Sequence, residues 1–292
     1  MKPDGSRLRT LARGPGVSEP RWSANGAKLA FTREWRSHSR LYVVNADGSG
    51  LHRVSGPKYE DDRNSVWSPN GRQLVFDGIG DGWNAIFVVR VDGTGERRLI
   101  DGSYLTGSSG LYGGNAWSPD GRKIAFTDRS GRVAVMNPEG SDRRRLTTAA
   151  GGVGASWSPD GRELAFVNSR EIWVVHANGS GLRRLVWRGD VGLPVWSKNG
   201  LGLPVWSPNG RKLAFDTSKD FVYVVNRDGR GLRKVGRMAS GPSWSPDGRW
   251  LAFTSDRDGN GDIHIVKADG SGERQLTHSK LEEIDPVWSS VG

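Results

Sequence analysis

The 292-residue sequence contains no cysteine, which excludes disulfides, thiolate metal ligands and cysteine nucleophiles. No apolar run approaches the 18 or more residues that a membrane-spanning helix requires. No apolar segment follows residues 1–5, so the start of the chain does not resemble a signal peptide. We therefore expect a protein without a membrane span, and the composition alone leaves its compartment open.

Patterns typical of catalysis are also missing. The five histidines have neither HxxxH nor HExxH spacing, and the sequence has no Gly-x-Ser-x-Gly nucleophile elbow and no Walker phosphate loop. The Gly-Ser-Gly segments lie in Asp/Asn-Gly turns, which account for them fully. We therefore predict that the protein is not an enzyme, with no catalytic residues and no organic cofactor.

Glycine and tryptophan are abundant, with 42 and 13 residues. Six of the tryptophans open a repeated segment of the form Trp-Ser-(Pro/Ala)-(Asp/Asn)-Gly. Successive copies are about 38 to 50 residues apart, which is the range of a four-stranded propeller blade. The tryptophans of the repeat are Trp22, Trp67, Trp117, Trp157, Trp206 and Trp244.

Each repeat contains the pieces of four short strands. After the tryptophan motif come an apolar triplet such as Leu74–Phe76, a β-branched run such as Ile86–Val89, an Asp/Asn-Gly turn and a basic strand such as Arg97–Ile100. Ser-Pro-Asp-Gly fits a type I turn that ends in a left-handed glycine, which folds the tryptophan strand onto the apolar triplet. The runs are too short and too β-branched for helices.

A single four-stranded sheet cannot bury both of its faces, but sheets stacked around an axis bury one another. The sequence therefore predicts a single all-β domain over residues 1–292, a β-propeller of about six four-stranded blades, with seven blades as the alternative if the chain is a fragment. We expect the repeat tryptophans to fill the space between blades, and a ring of sugar-stacking platforms is the alternative. The predicted blades cover residues 17–56, 62–102, 112–148, 152–188, 201–236 and 240–278, with end strands at 7–11 and 285–289.

The segment 191–200 is nearly repeated at 201–210. Only one copy can supply the first strand of the fifth blade. The second copy has the Pro208 turn and leads directly into Leu213–Phe215, so we assign the strand there. The first copy is expected to be a loop insertion. The alternatives are a second register of the strand and an exposed Trp196 that marks a binding site.

The unit Trp-Ser-Pro-Asp-Gly-Arg-x-Leu-Ala-Phe, followed by Ile-Tyr-Val-Val-Asn-x-Asp-Gly-Ser-Gly-x-x-Arg-Leu-Thr, closely resembles the WD-like repeat of the TolB-like propeller family. The resemblance covers nearly the whole chain. It implies an extracytoplasmic, periplasmic protein-binding module of the Tol–Pal envelope system, and similar repeats form the gating propeller of prolyl-oligopeptidase-type peptidases. No separate α/β domain precedes the repeats, so the resemblance supports only the propeller.

The formal net charge of +10 raises the question of nucleic-acid binding. The basic residues, however, recur at two repeat positions, after the first turn and in the last strand, where they would spread around the rim and protect strand edges. Nucleic-acid recognition needs a concentrated patch, so we do not predict it. These residues are Arg72, Arg122, Arg162, Arg211 and Arg249 after the turn, and Arg97, Arg98, Arg143, Arg144, Arg145, Arg183, Arg184, Arg233 and Lys234 in the last strand.

One loop has the pattern of a metal site. Asp256, Asp258, Asn260 and Asp262 place oxygen ligands at alternate positions around glycines, as in the first half of a calcium loop. The twelfth position is Lys267 instead of the bidentate glutamate, so an EF-hand is not predicted. The two interpretations are a calcium site and a hydrophilic hairpin between the second and third strands of a blade.

The sequence thus predicts a non-catalytic, monomeric propeller that binds a protein or peptide through loops at one face. Its basis is a repeat that runs through the chain without a reactive constellation. The alternatives are a propeller enzyme or the gating subdomain of a hydrolase, and a carbohydrate-binding propeller. The fold alone does not discriminate among them, because loops carry specificity.

Overall fold

The computed structural model describes residues 4, 6, 9–14, 16–36, 38–56, 61–80, 83–101, 116–148, 151–168, 171–187, 203–217 and 220–289. In these ranges β-strands are the regular elements, and no helix long and apolar enough to cross a membrane occurs. The strands form six antiparallel sheets of four, and strands adjacent in sequence are hydrogen-bonded neighbours within each sheet. The predicted all-β fold, a β-propeller with six four-stranded blades, is confirmed.

The chain divides into two compact units, one within residues 9–155 and one within residues 156–290. The first unit contains three complete sheets and the start of β13. Its sheets are β1 Ser18–Trp22, β2 Lys28–Trp35, β3 His38–Asn45 and β4 His52–Arg53; β5 Asp61–Trp67, β6 Gln73–Gly80, β7 Trp83–Arg90 and β8 Arg97–Asp101; and β9 Ala116–Trp117, β10 Ile124–Thr127, β11 Val133–Met136 and β12 Arg144–Arg145.

The second unit contains the other three sheets. They are β13 Gly152–Trp157, β14 Glu163–Asn168, β15 Glu171–His176 and β16 Arg183–Val186; β17 Val205–Trp206, β18 Lys212–Thr217, β19 Phe221–Asn226 and β20 Arg233–Arg237; and β21 Ala239–Trp244, β22 Trp250–Ser255, β23 Asp262–Lys267 and β24 Arg274–Gln275.

The Ser-Pro-Asp-Gly segments form the predicted turns. In the third sheet, Ser118 Oγ donates to Asp120 Oδ1 at 2.6 Å, and the amide of Lys123 donates to Ser118 Oγ at 2.9 Å. The amide of Gly121 donates to the Ser118 carbonyl at 2.8 Å, and Gly121 has a φ of 71°. Only glycine adopts this left-handed conformation without steric cost, which explains the fixed glycine of the motif.

Neighbouring sheets within a unit bury each other's apolar faces. In the first unit, the tryptophan face of the third sheet packs on the opposite face of the second sheet. The members of this cluster are Val75, Ile86, Val88 and Leu99 from the second sheet, and Trp117, Ile124, Phe126, Ala134 and Met136 from the third. Because side chains alternate along β6, Leu74 and Phe76 face the first sheet instead.

Three of the repeat tryptophans make the same hydrogen bond to the previous sheet. The indole Nε1 donates to the carbonyl of the residue that precedes the tryptophan of the previous sheet. The observed pairs are Trp67 with Arg21 at 2.8 Å, Trp206 with Ser156 at 3.1 Å, and Trp244 with Val205 at 3.0 Å. Trp67, Trp117, Trp157, Trp206 and Trp244 are buried and Trp22 is half-buried. The five buried rings are therefore occupied by packing and do not offer open stacking faces.

The predicted end strands are not formed among the described residues. Residues 9–11 and 285–289 have no strand hydrogen bonds, and residues 7–8 lie outside the described ranges. The duplicated segment 191–200, including Trp196, also lies outside them. The fifth sheet starts at Val205–Trp206, the copy to which the sequence assigned the strand.

Candidate functional site

The two ends of each sheet differ in regularity. One end, the turn end, carries the Ser-Pro-Asp-Gly and Asp/Asn-Gly turns, whose hydrogen bonds repeat from sheet to sheet. The other, the connection end, carries the turns between second and third strands and the connections between sheets. In the first unit, the number of residues between the last strand of one sheet and the first strand of the next ranges from 6 to 14. Variable loops on a rigid scaffold are where binding residues are usually found.

Four first strands have a left-handed residue toward the connection end, three residues before the tryptophan position. Glu19 and Asn64 have φ angles of 53° and 54° there, and Gly154 and Gly241 have 67° and 62°. The strand register shifts around these bulges in β1, β5 and β21. A bulge turns a side chain away from the regular alternation, which makes it a common device near functional sites.

The side chains of Glu19, Asn64 and Asp77 fix the bulge of β5. Glu19 Oε2 accepts a hydrogen bond of 2.7 Å from the Asn64 amide, and Asn64 Nδ2 donates to Asp77 Oδ2 at 2.9 Å. In the second unit, Asp216 stands at the position of Asp77 and accepts from the bulge amide of Gly241 at 3.0 Å. A carboxylate therefore holds a left-handed bulge in both units, which gives the connection end a defined backbone.

The start of β5 holds further polar groups, which we call the β5 polar cluster: Ser55, Asp61, Asp62, Arg63 and Asn64. The Ser39 amide donates to Asp61 Oδ1 at 2.6 Å, and Arg63 pairs with Asp61 Oδ2 at 3.2 Å. The side chains of Arg63 and Asp61 are 32% and 25% exposed. This ion pair therefore presents donors and acceptors to solvent from a fixed backbone.

Asp62 is the buried member of the cluster. Its side chain has no exposed surface, and Ser55 Oγ donates to Asp62 Oδ2 at 2.5 Å. Burial raises the pKa of Asp62 to about 7, against the lowering effects of the Ser55 hydrogen bond and the Arg40 charge. Since Asp62 is sealed from solvent, its effect is on the stability of the connection end and not on a substrate.

His264 takes a packing position. Its ring stacks on Phe253 with centroids 5.8 Å apart, at the place where other sheets carry Tyr42, Phe87 or Tyr223. Burial lowers the pKa of His264. The ring is therefore favoured in its neutral, apolar form, as expected for a core residue.

The predicted calcium residues lie in the hairpin between β22 and β23. Asp258 is exposed, Asp262 is buried at the start of β23, and Asp256 precedes the turn. Asn260 Nδ2 donates to the carbonyl of Ser279 at 3.0 Å, so its amide fastens the following segment to the hairpin. In the part of the chain that the structure describes, no three His, Asp or Glu side chains come together as a metal site. Calcium binding stays a prediction, which calorimetric titration with CaCl₂ checks.

The sequence missed the β5 polar cluster because its partners are far apart in the chain. A signal for the bulges was nevertheless present, since Gly154 and Gly241 both stand three residues before a repeat tryptophan. The same alignment places Glu19 and Asn64 at that position. Their hydrogen bonds, however, depend on the packing of one sheet against the next.

Comparisons with known proteins agree with this architecture. Residues 198–292 match the family described as the TolB beta propeller domain, and no curated protein matches the chain in sequence. TolB from Acinetobacter baumannii has a similar structure, with a TM-score of 0.65 at 18% identity over 91% of this chain and 67% of that chain. The β-propeller domain of Cps50 (Swd1) from Myceliophteria thermophila gives 0.68 at 14% identity, over 96% and 92% of the two chains.

A puromycin-hydrolyzing peptidase from Mycobacterium tuberculosis is also similar, with a TM-score of 0.67 at 17% identity. The match covers 95% of this chain but 47% of the peptidase, so this chain corresponds to about half of that protein. At these identities the likeness shows the fold alone. Together with the family match, it confirms the resemblance to TolB-like propellers that the repeat predicts.

Proposed function

We propose that this propeller, whose fold resembles that of TolB, is a non-catalytic module that binds a protein or peptide partner at the connection ends of its sheets. The observation that carries this proposal is the difference between the two ends. The turn ends repeat the same short hydrogen-bonded turns, whereas at the connection ends the sheets are separated by unequal numbers of residues and the first strands have carboxylate-held bulges.

The β5 polar cluster supports a recognition role. The Asp61–Arg63 pair offers both charge signs at a partly exposed position. The Ser39 amide holds the Asp61 carboxylate, and Glu19 holds the backbone of the adjacent Asn64. A surface fixed before binding loses little conformational freedom when a partner arrives. Polar groups of a peptide backbone and its side chains suit such a surface.

A propeller enzyme or a gating subdomain of a hydrolase is the main alternative. The similarity to the puromycin-hydrolyzing peptidase is the observation that favours it, although at 17% identity that similarity concerns the fold. The binding module and the enzyme differ in turnover, because a binding module does not hydrolyse aminoacyl or peptide substrates. A carbohydrate-binding propeller, the third candidate, would retain ligands on a glycan array.

The test is site-specific photo-crosslinking in cells, comparing the two ends of the first unit. A photoreactive residue at Glu34, exposed at the connection end of β2, is expected to capture a discrete protein partner. The same residue at Arg72, exposed at a turn end, serves as the matched control. Equal crosslinking at both positions, or turnover of a substrate panel without any discrete crosslink, would contradict the proposal.

A further inference from the structure

The last strands of the second and third sheets border an open cleft of about 490 Å³ in the first unit. Its lining includes Arg98 and Leu99 from β8, and Asp128, Arg129, Arg143 and Arg145 from the third sheet. We call it the arginine cleft. The cleft therefore has four guanidinium groups and only one carboxylate, whereas positive and negative side chains are mixed on most protein surfaces.

The single carboxylate is already committed to the hairpin between β10 and β11. Asp128 Oδ1 accepts hydrogen bonds from the amides of Ser130 at 2.8 Å and Arg132 at 3.1 Å. Asp128 Oδ2 pairs with Arg145 Nε at 2.6 Å. Burial opposes ionisation, but these hydrogen bonds hold the pKa of Asp128 below its usual value. Asp128 is thus ionised at neutral pH and compensates one guanidinium group.

Arg143 is held in place by uncharged groups. Its Nε donates to the Gly140 carbonyl at 2.8 Å, and its Nη2 donates to the Leu99 carbonyl of β8 at 2.6 Å. The guanidinium is therefore fixed across the junction of two sheets without a carboxylate partner in these contacts. A charge positioned in this way is pre-organised for an incoming anion.

Arg129 stands exposed in the β10–β11 turn, at the connection end of the third sheet. Within the described residues, its side chain makes no hydrogen bond and no ion pair. Its neighbours in the cleft are the other three arginines and the already paired Asp128. Arg129 is thus free to bind an anion from solvent.

In the sixth sheet the corresponding positions form an ion pair. Arg274 pairs with Ile265 in the same register as Arg144 with Val135, so Glu273 corresponds to Arg143. Arg257 and Arg129 both hold the second position of the turn between the second and third strands, in hairpins of different length. In the sixth sheet, Arg257 Nη1 lies 2.5 Å from Glu273 Oε1 in a closed ion pair. In the third sheet this carboxylate is replaced by Arg143, and the corresponding pair carries two like charges. An external carboxylate would supply the missing partner.

We infer that the arginine cleft binds the acidic side chains of a peptide segment, an inference that rests on the proposed partner-binding function and names the chemistry of the partner. Guanidinium groups bind carboxylates through paired, parallel N–H donors, a geometry that lysine lacks. Leu99 and Ile100 contribute the apolar part of the lining. The net charge of +10 also steers an acidic partner toward the protein.

The test is fluorescence anisotropy of a labelled hexaglutamate peptide with the full chain, at about 50 mM and about 300 mM NaCl, since salt screens exposed charges. Saturable binding is expected for the wild type, and Arg129→Glu is expected to weaken it at least about tenfold. Arg122→Glu makes the same charge change at the turn end of the same sheet and is expected to stay within about twofold. Because Arg129 has no structural partner among the described residues, its variant is expected to keep the wild-type Tm.

Three results would overturn the inference. Equal weakening by Arg129→Glu and Arg122→Glu would show diffuse attraction instead of a site. Tighter binding of an oligothymidylate than of hexaglutamate, lost in Arg129→Glu, would assign the cleft to nucleic acid. No hexaglutamate binding together with a discrete crosslink at Glu34 would reject the acidic partner while partner binding stands. Hexaglutamate binding at the cleft without the crosslink at Glu34 would instead support the inference that the cleft binds acidic side chains, and it would count against the proposed function.

Discussion

The indole Nε1 of Trp288 donates a hydrogen bond of 3.1 Å to the carbonyl oxygen of Ser243. This contact repeats the bond that Trp244 makes to Val205 at 3.0 Å, one sheet earlier. Asp285, three residues before Trp288, has a φ of 54°, as the bulge residues of the first strands do. Residues 285–288 therefore follow the first-strand pattern against the sixth sheet without forming a strand.

Substituting Trp288 by phenylalanine tests this relationship. Trp288→Phe keeps an aromatic ring but removes the donor to Ser243, and the free energy of unfolding is expected to fall by about 1 kcal/mol. Trp244→Phe is expected to cost more, because Trp244 is buried whereas Trp288 is half-buried. Urea unfolding of the two variants measures both effects. An unchanged midpoint for Trp288→Phe would show that this bond contributes nothing to stability.

Much of the fold was predictable because its determinants are local. The turn at Ser118–Gly121 follows from four adjacent residues, and the alternation of Leu74, Val75 and Phe76 assigns each side chain to a face of its sheet. The candidate site was not predictable in this way. Glu19 and Asn64 belong to different sheets, and their hydrogen bond exists only after these sheets pack.

The arginine cleft was only partly predictable from the sequence. The sequence places Arg143 in a basic last strand, and the rule that such charges protect a rim applies to most of its neighbours. Aligning the third repeat with the sixth sets Arg143 against Glu273, so a signal was present in the sequence. Its meaning required the contact between Arg257 and Glu273, which depends on the turn between β22 and β23.

Glu163 is expected to stabilise the second unit through two arginines. Its side chain is 6% exposed, and its oxygens lie 2.8 Å from Arg183 Nη1 and 2.8 Å from Arg227 Nε. Burial opposes ionisation, yet the arginines hold the pKa of Glu163 below its usual value. Glu163→Gln removes the charged acceptor of Arg183 and leaves Arg227 with Asp160 as its remaining carboxylate, so a loss of about 1–3 kcal/mol is expected at pH 7.

The pH dependence of that loss has a defined sign. Since the pKa of Glu163 is lowered on folding, its contribution is present above the unfolded value and is lost as pH falls through the folded value. The gap between wild type and Glu163→Gln is therefore expected to narrow as pH is lowered below 4.5. Asp247→Asn is the comparison: the Ser245 hydrogen bond also lowers the pKa of Asp247, but its pair with Arg249 is exposed at 4.0 Å and Asn70 serves the same turn position in another repeat, so a smaller gap of the same sign is expected. A constant gap would contradict the ionic role.

Asp62 is expected to give the opposite pH dependence. Its pKa rises from 3.8 to about 7 on folding, so the unfolded chain releases the proton first and stability declines as pH rises through this window. Above about pH 7 the effect is complete. Asp62→Asn removes the titration, and its stability is expected to fall less between pH 4 and pH 7 than that of the wild type. Urea unfolding midpoints of both proteins, measured from pH 4 to pH 7, test this expectation. The same pH dependence of the midpoint in the two proteins would count against a buried, protonated Asp62.

The close approach of Gly140 to Leu99 positions Arg143 in the arginine cleft, and a substitution at Gly140 tests this contact. Gly140 has a φ of 87°, and a Cβ there would lie 2.9 Å from the Leu99 carbonyl oxygen, a main-chain atom that cannot rotate away. Gly71 has a φ of 67° with no atom within 4 Å of its Cβ position, so Gly71→Ala isolates the conformational cost alone, about 1 kcal/mol. Gly140→Ala adds the displacement of β8 and is expected to cost about 2–4 kcal/mol. It should also weaken hexaglutamate binding, because Arg143 donates to the carbonyls of both Gly140 and Leu99. Equal losses of stability for the two variants would mean that the turn and β8 are farther apart than the structure places them.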